Sequence, residues 1–65
     1  MEPSEEHSGS LVLRAWLEGG KPDGLRVRIL STIGSQQATP QAVASIGAVH
    51  AAVQSWLEEL LEQSG

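Results

Sequence analysis

The chain has 65 residues and a formal net charge of -4, with no Cys, Tyr or Phe and with Trp16 and Trp56 as its aromatics. That length allows one domain, and a chain of roughly 60 residues buries only about 60% of the surface its unfolded form exposes. The absence of Cys excludes disulfides, thiolate metal sites and thiol redox chemistry. No run of about 20 apolar residues is present to cross a membrane. No basic segment followed by an apolar one opens the chain, so the expected setting is the cytoplasm.

Residues 1–10 are rich in Glu, Ser, Pro and Gly with almost nothing apolar, the composition of a disordered acidic tail. The domain is expected over residues 11–63. From Leu11 the residues alternate, with Leu11, Leu13, Ala15 and Leu17 on one face and Val12, Arg14, Trp16 and Glu18 on the other. This period of two predicts a half-buried strand. Gly19 to Gly24 is a loop rich in turn-formers. A second alternation follows, with Leu25, Val27 and Ile29 on one face and Arg26, Arg28 and Leu30 on the other. The two runs predict a β-hairpin.

Gly34 to Gln37 reads as a second turn. Beyond it the chain has two readings. Thr39 could cap a long helix with Pro40 in its first turn, giving β-β-α. Alternatively Ala38 to Ala44 is a short edge strand and Ser45 caps a helix from Ile46 to Glu62. The long helix would extend roughly 35 Å and overrun the hairpin, whereas the shorter one, roughly 25 Å, matches it. The β-β-β-α order, an α+β class, is preferred for that reason. Ile46, Val49, Val53, Trp56 and Leu60, widened by Leu57 and Leu61, form the helix's apolar stripe. It is expected to cover Leu11, Leu13, Leu17, Leu25, Val27 and Ile29.

Three segments carry a resemblance: Val12-Leu13-Arg14-Ala15-Trp16-Leu17-Glu18, Leu25-Arg26-Val27-Arg28-Ile29 and Ala51 to Leu60. Together they resemble small bacterial proteins that open on a (V/I)-x-R-x-W-x-E strand and close on a V-x-x-W-L-E-E-(L/F) helix. The resemblance spans about three quarters of the chain and implies the strand–strand–(strand)–helix order. It implies no activity, and no functional residue is carried over from it.

The chemistry-bearing feature is the hairpin face turned away from the helix. Two registers are open: Glu18 opposite Arg26 with Trp16 opposite Arg28, or Trp16 opposite Arg26 with Arg14 opposite Arg28. Either one gathers Arg14, Trp16, Arg26, Arg28 and Leu30 on one surface. Stacking and ion pairing within the face would make it self-satisfied. Read functionally it is a partner surface, because Trp and Arg dominate interface hot spots.

Nucleic acid is disfavoured as a partner by the net charge of -4 and by the single aromatic on the face. Catalysis is not expected. His7 lies in the tail, and His50 on the helix has Gln54 and Ile46 at the positions where a second metal ligand would stand. The glycines lack phosphate-loop spacing. No cofactor or metal is expected. The sequence thus predicts a non-catalytic protein-interaction or oligomerisation module, a homodimer and accessory or regulatory subunit of the bacterial cytoplasm. The alternative is an anionic-ligand or nucleic-acid-binding domain using Arg14, Arg26 and Arg28.

Overall fold

A computed structural model describes residues 8–64. The strand β1 runs Gly9–Leu17 and β2 runs Leu25–Ile33; β3 is Gln36–Gln37, β4 is Gln41–Val43, and the helix α1 is Ile46–Ser64. All strand pairs are antiparallel, and β2 is central, with β1 along one side and β3 and β4 in succession along the other. The chain is an α+β fold, an open four-stranded sheet with one C-terminal helix.

Three expectations are corrected by this architecture. The strand begins at Gly9, so Gly9 and Ser10 belong to the sheet, opposite Ile33 and Thr32. Hydroxyl pairing fixes them there, with Ser10 Oγ and Thr32 Oγ1 3.0 Å apart. The rest of the tail, residues 1–7, lies outside the described residues. Next, Gln36 and Gln37 pair with Ile33 and Thr32 where the sequence reads only a turn. Gly34, at a φ of 61°, supplies the reversal that lets them return at once. Finally, the third strand is confined to Gln41–Val43. Its register shows why. The Ala38 N–H donates to the Ser31 carbonyl, while Gln41 stands opposite Ile29. Thr39 and Pro40 therefore share the place opposite Leu30 as a bulge, where a residue without an N–H costs no ladder bond.

The long-helix reading does not form. Ser45 Oγ accepts the Ala48 N–H at 3.1 Å, which makes Ser45 the N-cap of a helix beginning at Ile46. Helix direction then decides what is covered. The strand β4 carries the chain toward the hairpin loop as far as Val43, opposite Val27, and α1 turns back along the sheet. Ten residues of helix at about 1.5 Å each match five of strand at about 3.3 Å. Trp56 accordingly meets Thr32, whose carbonyl accepts the indole Nε1–H at 3.1 Å. The indole also lies against Gly9, where a Cβ would crowd both the Thr32 carbonyl and the ring.

The core is consequently short. Among the described residues Val27, Ile29 and Ile33 are the buried apolar ones, and Leu11, Val43, Val49, Val53, Trp56 and Leu60 are half-buried around them. The expected cover of Leu13 and Leu17 fails: they remain 46% and 48% exposed because α1 runs away from the hairpin end that holds them. Ile46, Leu57 and Leu61 of the expected stripe are exposed as well.

Candidate interaction surface

Seven residues separate the two long strands, and their conformation sets the hairpin register. Glu18–Gly20 and Pro22–Gly24 form two successive single turns of 3-10 helix. Gly19 and Gly20 both take positive φ, 66° and 71°, a conformation costly for any side chain with a Cβ. Gly24 closes the loop with its N–H on the Lys21 carbonyl at 2.9 Å. Leu17 then stands opposite Leu25, Trp16 opposite Arg26, Arg14 opposite Arg28 and Val12 opposite Leu30. The second of the two registers open to the sequence is the one adopted.

All five residues expected at the site, Arg14, Trp16, Arg26, Arg28 and Leu30, lie on the sheet face away from α1 and are exposed. Val12 joins them. Trp16 is 45% exposed, a large share for the bulkiest apolar side chain on a sheet. The three arginines differ in their surroundings. Arg26 is occupied: its Nε lies 3.2 Å from Glu18 Oε1, and its Nη1 donates to the Leu25 carbonyl at 2.9 Å. That pair forms although Glu18 is outside the strand ladder, because the first 3-10 turn curls its carboxylate back over Arg26. With both side chains exposed it contributes little to stability.

Arg14 and Arg28 face each other, and among the described residues neither has such a carboxylate. Among the described residues, Glu18 is the carboxylate ion-paired on this face, and it is paired with Arg26. Like charges directly opposed across two strands are destabilising. Together with Trp16 they line an open hollow of about 400 Å³. Two planar, always-charged donors beside an indole face can hold a carboxylate or phosphate bidentately and cover its apolar flank. The arrangement is chemically a receptor for an anion carried on something partly apolar.

Among the described residues no group of three or more His, Cys, Asp or Glu could hold a metal ion. His50 is exposed on α1. Among the described residues no helix is long and apolar enough to cross a membrane. The sequence reading did not single out Leu13 and Leu17 as surface residues. The signal for that lay in the direction of the helix, which depends on the bulge and on where β4 ends.

No protein-family model, curated protein or solved structure matches this chain.

Proposed function

We propose that this chain is a non-catalytic interaction module, an accessory or regulatory subunit that takes an acidic segment of another protein on the Trp16/Arg14/Arg28 face. The observation that carries the reading is Arg14 set directly across from Arg28 with Trp16 beside them and, among the described residues, no carboxylate ion-paired to either arginine. A fold with so few buried residues sacrifices stability by opposing two arginines. An acidic partner relieves that repulsion, and the exposed Trp16, Val12 and Leu30 offer apolar area next to it. The second reading, a phosphate or nucleic-acid ligand, draws on the same guanidinium pair and on base stacking over Trp16. The net charge of -4 favours the peptide, since a polyanion would meet an acidic molecule at long range.

Arg28→Glu tests the reading. Glu at 28 would face Arg14 and turn a repulsive pair into an attractive one, so stability is expected to hold or rise by about 0.2–1 kcal/mol. Binding to a hexaglutamate peptide, measured by calorimetry at low salt, is expected in the wild type and absent in this variant. Thymidine hexanucleotide bound more tightly than the peptide would move the assignment to the second reading. Equal peptide binding by both proteins would remove the face from the account.

A further inference from the structure

Among the described residues β1 pairs with β2 alone, so no other described strand covers its outer edge. Gly34 N–H donates to the Ser8 carbonyl at 2.7 Å, and the Ser10 N–H reaches Thr32 Oγ1 at 3.2 Å. Even-numbered residues therefore turn their backbone groups toward β2. In an antiparallel ladder the alternate residues face the other way. Gly9, Leu11, Leu13, Ala15 and Leu17 thus direct their N–H and C=O groups outward from the sheet. Natural edges of this length are usually blunted by Pro, Lys or an inward charge. From Gly9 to Leu17 there is none, the one charged residue being Arg14 on the outer face.

We infer that the occupant of this edge is β1 of a second copy, paired antiparallel about Leu13, and that the chain is a homodimer with one continuous sheet. The inference deepens the interaction-module reading by naming one partner, and it leaves the Trp16/Arg14/Arg28 face free for another.

The register follows from three constraints. Outward groups exchange hydrogen bonds only if odd-numbered residues oppose odd-numbered ones. Centring the pair on Arg14 would set Arg14 against Arg14, and centring it on Val12 would leave Leu17 without an opposing residue of the strand. Centring on Leu13 pairs the whole of Gly9–Leu17. Arg14 then meets the second copy's Val12, and Leu11 meets Ala15. Leu17 meets Gly9, which sets no side chain of its own against it.

Side-chain chemistry selects the antiparallel sense. A two-fold axis perpendicular to the sheet is isologous and keeps both helices on one face. The half-exposed Leu13 and Leu17 of both copies then share the helix side, where monomeric α1 leaves them uncovered. A parallel pairing would set that apolar face beside the Trp/Arg face instead. The symmetric pairing also aligns both Trp/Arg faces on the opposite side, with the two Trp16 separated by six residues of strand, roughly 20 Å. Two anion-binding hollows would thus lie on one surface, suited to an acidic segment of two clusters.

Light scattering on the full chain, across a concentration series, tests the pairing. The expected mass is twice the 6.9 kDa of the chain. Ala15→Pro removes an outward N–H that the monomer does not use, and it is expected to halve the mass with the circular dichroism unchanged. Leu13→Lys is the second edge-blocking variant should the proline disturb folding. Trp16→Ala, on the other face, is expected to remain dimeric. In a mixed sample of isotope-labelled and unlabelled wild type, an intermolecular cross-peak between the Hα protons of Val12 and Arg14 fixes the register.

A monomeric wild type at millimolar concentration would overturn the inference, as would a folded Ala15→Pro or Leu13→Lys that stays dimeric or a Trp16→Ala that becomes monomeric. Hexaglutamate binding by such a monomer would leave the interaction-module reading standing. A dimer that binds no peptide would do the reverse.

Discussion

Ile29→Ala is expected to remove a large share of the chain's stability. Ile29 is 3% exposed and is, among the described residues, one of three buried apolar ones, standing between Leu13 on β1 and Gln41 on β4 in the centre of the sheet. Truncating such a side chain costs about 2–5 kcal/mol, the transfer energy of the lost carbons plus the cavity they leave. A chain of this size holds roughly 3–10 kcal/mol in all, at about 0.05–0.15 kcal/mol per residue. The substitution thus removes about half of the margin. Ile46→Ala provides the contrast. Ile46 is 67% exposed, and its loss is expected to cost under about 0.5 kcal/mol. Urea denaturation followed by circular dichroism at fixed protein concentration checks both. Similar midpoints for the two variants would mean that the core is not where β2 crosses under the helix.

Trp56→Ala is expected to release the helix from the sheet. Its Nε1–H hydrogen bond to the Thr32 carbonyl is, among the described residues, the side-chain hydrogen bond that joins α1 to β2. Its ring fills the space left by the missing side chain of Gly9. Loss of the ring costs about 3 kcal/mol or more, and α1 meets the sheet along a short line, so little remains to hold it. Trp56→Phe keeps much of the apolar area and loses the donor to the Thr32 carbonyl. About 1 kcal/mol is expected there. The order Ala worse than Phe worse than wild type, read from denaturation midpoints, separates packing from hydrogen bonding. If Phe and Ala are equally damaging, the indole N–H rather than the ring anchors the helix. Trp16→Ala, on the exposed face, is expected to change the midpoint little.

The elements that local chemistry dictates were legible in the sequence. Alternation defined both long strands, Gly19, Gly20 and Gly24 marked the loop, and Ser45 marked the helix start. Geometric fit between helix and hairpin was enough to prefer a strand over helix at Gln41 to Val43. Register was a different matter. Two pairings left the same side chains on the same face, and the choice was made by the seven-residue loop, whose double 3-10 turn has no unique pattern. The opposition of Arg14 and Arg28, the feature on which the site rests, depends on that choice. The apolar stripe of α1 likewise gave its face but not its direction. Direction came from the Thr39–Pro40 bulge and the point at which β4 ends, and it decided that Leu13 and Leu17 would be left open.

The most direct test of the Trp16/Arg14/Arg28 face is nuclear magnetic resonance of the two indole N–H groups during titration with hexaglutamate peptide at low salt. Trp56 donates to the Thr32 carbonyl, whereas Trp16 stands exposed beside the two opposed arginines, so the two signals report different places. The Trp16 signal and the Arg14 and Arg28 Nε–H signals are expected to move together, saturate, and return as salt is added, while Trp56 stays in place. Movement of Trp56 without Trp16, or no saturable movement of either, would leave the arginine pair without an acidic partner.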